Sequence, residues 1–113
     1  MVQHFFMAED IETQELGNGM KRRVLAHSEN IMIVEVAFEE GTVGNLHHHP
    51  HEQGTYVIEG EFEFEVAGKK QVLRAGDSAY REPNVPHGAL CLKKGKLIDV
   101  FTPGREDFLE KSE

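Results

Sequence analysis

The sequence has few of the features that mark secreted, membrane-bound or nucleic-acid-binding proteins. Its only cysteine is Cys91, so no internal disulfide can form, and the class of small disulfide-stabilised secreted proteins is excluded. No uncharged run is long enough to span a membrane, and residues 1–7 lack the basic start and apolar length of a signal peptide. There are 12 basic against 20 acidic residues, and the net charge of −8 repels phosphate. We therefore expect neither a nucleic acid nor a membrane as a partner.

The remaining composition is that of a small, acidic, globular protein. With 113 residues and a hydrophobic fraction of 39%, the chain is predicted to form a single domain over residues 1–113. Residues 1–19 are expected to form an N-terminal strand or arm, and residues 105–113 a C-terminal tail or short helix. A single unpaired cysteine fits a reducing compartment, so a cytoplasmic location is expected.

Short segments between turn-forming residues predict an all-β fold. Turn signals recur at intervals of strand length, among them Gly41, Gly60, Gly76 and Gly95. Residues 61–66 alternate strictly, which predicts a strand that buries Phe62 and Phe64 and exposes glutamates. Residues 31–38 form a mostly apolar run, which predicts a strand covered on both faces. An antiparallel sandwich or barrel follows, but periodicity leaves open a jelly roll, an immunoglobulin-like sandwich or a small closed barrel.

A histidine cluster in residues 47–51 is a candidate metal site. In a strand, residues two apart share a face, so His47 and His49 are expected to project together while His48 points away. Two imidazoles on one face form half of a metal site, and the Gln53 amide is a weaker neutral donor nearby. A solvated polar loop is the alternative. A purification tag is excluded because the cluster is internal and interrupted by a proline.

His87 is the candidate third imidazole. It follows a loop in which Pro83 and Pro86 restrict the backbone, and this restriction fixes where the next side chain is delivered. An ordinary turn with an incidental histidine is the alternative, and the residues alone do not decide between the two interpretations.

With these residues the sequence resembles the cupin superfamily. The first cupin motif is met by Gly41, His47, His49, Gln53 and Gly60, with glutamine in the usual glutamate position. The second motif is met by Gly76, Asp77, Asn84 and His87, and it departs from the usual pattern at Glu82 and Cys91. The resemblance implies an all-β cupin jelly roll, a double-stranded β-helix barrel.

The resemblance also implies one divalent metal ion per chain, either Ni, Zn, Mn or Fe. Its ligands on this pattern are His47, His49, Gln53 and His87. Three imidazoles and an amide are all neutral, so the ion's charge stays uncompensated by the protein, which favours Lewis-acid chemistry and the binding of anions. Non-haem iron oxygenases more often use two histidines and a carboxylate, so the glutamine argues against oxygen chemistry.

A carboxylate, Asp99, interrupts an apolar strand near the C-terminus. On alternation it shares a face with Leu97 and Phe101. A carboxylate among apolar neighbours is costly unless it is paired or ligated. Asp99 is therefore half of a structural ion pair, a strand-end residue in water, or a general acid or base beside the metal. Arg105 follows six residues later, and its guanidinium suits bidentate binding of a carboxylate, although a surface arginine is the ordinary alternative.

The segment from Asp99 to Phe108 resembles the C-terminal signature of the small pectin-degradation cupins of the KdgF family, and residues 47–53 and 83–88 are similar to that family too. Membership implies that Asp99 and Arg105 are catalytic and that Arg105 and Phe101 bind substrate. The implied reaction opens the ring of 4,5-unsaturated uronate monosaccharides from pectin or alginate breakdown, giving linear 4-deoxy-5-keto uronates.

Two other functions are compatible with the same residues. The alternatives are a cupin dioxygenase acting on another small molecule and a non-catalytic sugar-binding cupin. The expected partner is a small-molecule sugar acid. A homodimer is expected from the resemblance and from the need to cover edge strands.

Three further features belong to the predicted fold. Cys91 is expected in the core on the face of His87, and Tyr80 and Arg81 either line the barrel mouth or face solvent. The cluster at residues 21–23 is expected to be a solvated strand edge, with one member able to reach the pocket.

Overall fold

The computed structural model describes residues 2–109 and consists mainly of antiparallel strands. The strands are β1 (Gln14–Gly17), β2 (Met20–His27), β3 (Met32–Phe38), β4 (Val43–His47), β5 (Glu52–Val66), β6 (Lys69–Arg74), β7 (Ser78–Arg81) and β8 (His87–Thr102). A 3-10 helix (Ala8–Asp10) precedes β1, and a short α-helix, α1 (Glu106–Leu109), follows β8. Within the described residues, no helix has the length and apolar character needed to cross a membrane.

The long strands β5 and β8 join two layers because each belongs to both. The first half of β5 pairs with the second half of β8 and with β7, and β3, β2 and β1 extend that layer. The second half of β5 pairs with the first half of β8, with β6 and β4 at the two edges. Two antiparallel layers that share strands in this way form the jelly roll expected from the sequence.

Gly60 and Gly95 lie where β5 and β8 change layers. The register of the two strands shifts between Val57 and Phe62. A Cβ on Gly60 would lie 2.6 Å from the backbone of Gly95, and a Cβ on Gly95 would lie 2.2 Å from the carbonyl oxygen of Glu59. The prediction of turns at these two glycines is therefore wrong. Both residues lie inside continuous strands, where they permit close approach of the two backbones at an irregularity.

The core fills the space between the layers with alternate residues of the strands. Its buried members are Met32, Val34, Val36, Phe38, Val57, Phe62, Phe64, Leu73, Cys91, Leu97 and Phe101. The alternation predicted for Phe62 and Phe64 is confirmed, and so is the core position of Cys91. Only one face of β3 is fully buried, contrary to expectation, because its outer face carries an ion pair between Arg23 and Glu35 at 3.3 Å.

Candidate metal centre and active site

A cavity of about 260 Å³ opens between the two layers. Its polar lining consists of Arg22, His47, Gln53, Arg81, His87, Asp99 and Arg105. Apolar side chains supply the rest of the wall, and Leu97 and Phe101 are among them. Asp99 therefore shares a face with Leu97 and Phe101, as strand alternation predicts.

Three imidazoles converge beside this cavity. Their candidate ligand atoms, on His47, His49 and His87, lie within 4.8 Å of one another. His47 ends β4 and pairs with His87, which begins β8, so the sheet itself brings these two rings together. His49 lies in the loop after β4, so its convergence with His47 comes from the path of the loop and not from strand alternation. His48 is exposed, as expected.

The proline loop between β7 and β8 positions two of the rings. The Asn84 backbone N–H donates to the His49 carbonyl at 2.7 Å, and Asn84 has a φ of 64°, which asparagine tolerates better than most residues. The Ala67 N–H donates to the Pro86 carbonyl at 3.0 Å, which fixes the loop just before His87. The stiff loop therefore supports both His49 and His87.

Each ring is oriented by a hydrogen bond from its Nδ1 atom to a backbone carbonyl. His47 donates to Asn45 at 2.8 Å, His49 to His51 at 3.1 Å and His87 to Val85 at 2.9 Å. A ring with a hydrogen on Nδ1 has its free lone pair on Nε2, the tautomer that metal-binding histidines adopt when their other nitrogen is held.

The donor atoms fit a divalent cation. The Nε2 atom of His87 is buried and has no hydrogen-bond partner within the described residues. The Nε2 atom of His49 lies 3.0 Å from Oε1 of Gln53, so two acceptors approach one point, an arrangement that a shared cation stabilises. Glu52 lies on the opposite face of β5 and is exposed, where its carboxylate accepts hydrogen bonds from Tyr80 and Thr102.

Burial favours the neutral form of two of these imidazoles, His87 and His49. It lowers the pKa of His87 to about 4, although the hydrogen bond to Val85 acts in the opposite direction. Burial also lowers the pKa of His49, and the contact with Gln53 raises it again in part. A neutral ring has a lone pair available, so His49 and His87 are suited to binding a metal ion at neutral pH.

Asp99 lines the cavity and is paired with a buried arginine. Its Oδ1 atom accepts a hydrogen bond from the Thr55 hydroxyl and lies 3.5 Å from Nη2 of Arg81. The structural ion pair considered as an alternative from the sequence is therefore present. The carboxylate also lines the cavity together with His87, so pairing and access to a ligand coexist.

Arg105 reaches the cavity from the segment before α1. Gly104 positions the backbone just before Arg105. The Gly104 N–H donates to the Glu29 carbonyl at 2.9 Å, and the chain passes so close to Ser28 that a Cβ on Gly104 would lie 2.6 Å from its carbonyl oxygen. The guanidinium is held by Asp107, through Nε at 3.0 Å and Nη2 at 2.8 Å. Arg105 lowers the pKa of Asp107, so the carboxylate is ionised at neutral pH.

Aromatic rings support Arg105 and close that part of the cavity. Its guanidinium carbon lies 5.2 Å from the centre of the Phe101 ring and 4.3 Å from that of Phe108. Phe101 and Phe108 contact each other edge-on at 5.5 Å between centroids. Phe101 also contacts His49 at 5.8 Å, so it links the three-histidine site to the arginine.

Three further residues lie at this site: the sequence analysis missed Thr55 and left the places of Arg81 and Arg22 open. Thr55 lies between Gln53 and Val57 on the inner face of β5, and period-two alternation from Gln53 could have found it. Tyr80 and Arg81 were expected either to line the barrel mouth or to face solvent. Arg81 is buried and lines the cavity, whereas Tyr80 is exposed. Arg22 reaches the cavity from the basic cluster, with its guanidinium carbon 3.7 Å from the centre of the Phe108 ring.

Comparison with known proteins identifies the family. Residues 34–101 match the cupin domain family. The pectin degradation protein KdgF of Dickeya dadantii (strain 3937) is 38% identical over 110 residues, which cover 96% of this chain and all of that protein.

Solved structures agree with this match. An RmlC-like cupin from Shewanella frigidimarina is 45% identical with a TM-score of 0.90, covering 95% of this chain and 96% of that one. KdgF from Halomonas sp. is 36% identical with a TM-score of 0.89, covering 95% of this chain and 99% of that one. Oxalate decarboxylase of Bacillus subtilis, at 22% identity and a TM-score of 0.80, covers 95% of this chain and 32% of that one, and it shares the fold. The chain therefore belongs to the cupin superfamily and, within it, to the family of the pectin degradation protein KdgF.

Proposed function

We propose that this protein opens the ring of 4,5-unsaturated uronate monosaccharides released from pectin or alginate, giving linear 4-deoxy-5-keto uronates. The observation that carries the proposal is the composition of one cavity. Asp99 and Arg105 line it together with three of the candidate metal ligands, His47, Gln53 and His87. An acid–base group, a carboxylate-binding group and a cation site are the three parts that this reaction needs.

The charge of the cavity supports an anionic substrate. Three arginines and one aspartate line it, although the whole chain has a net charge of −8. Because local fields and not net charge act on a bound ligand, a sugar carboxylate is attracted into this cavity.

Arg105 and Phe101 bind the sugar in this proposal. Asp107 uses the Nε and Nη2 atoms of Arg105, which leaves Nη1 and the second hydrogen of Nη2 for the substrate carboxylate. The Phe101 ring supplies an apolar wall against which the sugar packs.

Asp99 moves the proton. It takes the hydrogen of the anomeric hydroxyl, the carbonyl forms at that carbon, and the bond to the ring oxygen breaks. The ring oxygen leaves as the enolate of the former enol ether, and Asp99 returns the proton to the neighbouring carbon to give the ketone. No atom is gained or lost, so the reaction needs neither an oxidant nor a reductant.

His47, His49, Gln53 and His87 hold the divalent cation in this proposal. When bound, the cation supplies Lewis-acid charge that stabilises the oxyanion formed on ring opening. The neutral rings and the amide leave the full charge of the cation available.

The test supplies unsaturated galacturonate and follows the loss of its enol-ether ultraviolet absorbance. We expect the metal-loaded protein to accelerate this loss over buffer, and Asp99→Asn to remove most of the acceleration. Asp10→Asn, the same change at an exposed position of the 3-10 helix, should act like the unchanged protein. A rate equal to that of buffer with the fully loaded protein, or full activity in Asp99→Asn, contradicts the proposal. An oxygen electrode in the same assay tests the dioxygenase alternative, and consumption of oxygen supports that alternative.

A further inference from the structure

Arg81 is a buried charge that lines the cavity and has no assigned part in the proposed proton transfer. Arg81 is the last residue of β7, its Cα pairs with that of Gln53, and it is 2% exposed. Its Nε and Nη1 atoms are buried without a hydrogen-bond partner in the described part of the chain. Burial lowers the pKa of Arg81, and Asp99 opposes that effect. A buried guanidinium of this kind needs an anionic partner.

Asp99 is that partner. Among residues 2–109, it is the one carboxylate that forms an ion pair with Arg81, with Nη2 and Oδ1 separated by 3.5 Å. Thr55 lies between them: Nη2 of Arg81 donates to the Thr55 hydroxyl oxygen, and the Thr55 hydroxyl donates to Oδ1 of Asp99. Thr55 and Asp99 are cross-strand partners of β5 and β8, so the sheet fixes this chain of contacts.

Both contacts use the same oxygen of the carboxylate. No side-chain hydrogen bond within residues 2–109 involves Oδ2 of Asp99. A carboxylate held through one oxygen has a restricted rotamer, and the second oxygen remains free to act on a ligand.

We infer that Arg81 and Thr55 are positioning residues for Asp99: they hold its Oδ1 atom so that Oδ2 is the oxygen that takes and returns the substrate's proton. This inference rests on the proposed ring-opening function. It predicts that the arrangement raises the rate of the chemical step and contributes little to substrate binding, because neither residue is needed to hold the sugar carboxylate.

The first test replaces the Thr55 hydroxyl. In Thr55→Val the carboxylate loses its fixed donor, so kcat should fall roughly tenfold to a hundredfold while KM changes little. Thr55→Ser keeps the hydroxyl and should retain most of the activity. Thr42→Val makes the same change at another buried threonine outside the cavity lining, and it is expected to leave kcat unchanged.

Thr55 lies two residues from Gln53, a candidate metal ligand, so a change at Thr55 can also alter metal content. Rates are therefore expressed per molecule of folded, metal-loaded protein. Metal content by elemental analysis and a circular-dichroism melt supply this correction. An unchanged corrected kcat in Thr55→Val, or an equal loss in Thr55→Ser, overturns the inference.

A second measurement is independent of substrate, so the inference and the proposed function can fail separately. Denaturant unfolding of Arg81→Gln, Asp99→Asn and the double variant gives the coupling between the two side chains. We expect the double variant to be less destabilised than the sum of the single variants, because each single change leaves one buried group unpaired. Strictly additive effects overturn the inference even if the unchanged protein turns over the sugar. Absence of turnover in the unchanged protein counts against the proposed function alone.

Discussion

The three imidazoles obtain their orientation from backbone atoms close to them in sequence. His47 and His87 each donate to the carbonyl two residues earlier, and His49 donates to the carbonyl two residues later. These contacts fix the tautomer before any metal binds, because each Nδ1 hydrogen is already committed. At the level of single residues, the site is therefore preorganised by local geometry.

Replacement of one ring tests the ligand set. His49→Ala removes a buried donor that also faces Gln53, so metal affinity should fall by more than the roughly 10- to 100-fold cost of losing an outer-shell contact. Elemental analysis after dialysis measures the bound metal. His48→Ala, the same change at the exposed neighbour, should retain the full metal content. A full complement in His49→Ala removes this ring from the ligand set.

The C-terminal segment is the element that completes the cavity. It carries Arg105 on a loop and Phe108 on α1, and the Phe108 ring packs against both Arg105 and Arg22. Gln14 of β1 ties the segment down: its side-chain amide donates to the Phe108 carbonyl at 3.1 Å and accepts from Arg22 at 2.7 Å. The N-terminal hairpin and the C-terminal helix therefore meet at one wall of the site.

Asp107 of α1 is expected to hold Arg105 ready for substrate. Asp107→Asn weakens this hold, so Arg105 regains rotamer freedom that substrate binding must then remove. KM should rise roughly two- to tenfold with kcat little changed. Glu106→Gln changes the adjacent exposed charge and should leave KM unaltered. Steady-state kinetics on unsaturated galacturonate measure KM and kcat for both variants. A lower KM in Asp107→Asn means instead that Asp107 competes with the substrate for Arg105.

The pH dependence of this pair has a definite sign. Arg105 lowers the pKa of Asp107 in the folded protein, so the pair is intact above the ordinary range of the carboxyl group. Its contribution is lost only as the pH falls through the lowered pKa.

The elements show what could be predicted from the sequence and what could not. Alternation placed Phe62 and Phe64 in the core and Asp99 beside Phe101, because period two is a property of any strand. The strand irregularities at Gly60 and Gly95 could not be distinguished from turns in the sequence. A turn and an irregularity both favour glycine, and they differ only in whether the strand pairing continues past it.

Two other features depended on tertiary contacts that the sequence does not display. The pairing of buried Arg81 with Asp99 depends on β5, which lies between β7 and β8 in the sheet and brings the two side chains together. The convergence of His49 on His47 follows from the loop after β4, which is held by Asn84.

The outer face of the larger layer carries apolar residues beside the ion pair between Arg23 and Glu35, and some of these apolar residues are exposed while others are half-buried. The strand register aligns Ile33 with Val100 and aligns Ile98 with Tyr56. Tyr56, Ile58 and Tyr80 are 51%, 42% and 59% exposed. Exposed apolar residues gathered on one sheet face favour an interaction surface, so this band of apolar residues is our candidate for contact with a second copy of the chain.

We expect the whole molecule to be a homodimer that uses this band. Sedimentation velocity at several concentrations should show a species of two chains, because burial of the band removes apolar area from water. Tyr56→Lys puts a charge into the band and should shift the equilibrium to the monomer. Leu46→Lys makes a similar change at an exposed apolar residue of β4 in the other layer, and it should leave the dimer intact. A monomer at all concentrations for the unchanged protein contradicts the prediction. Dissociation by Leu46→Lys but not by Tyr56→Lys moves the interface to the opposite layer.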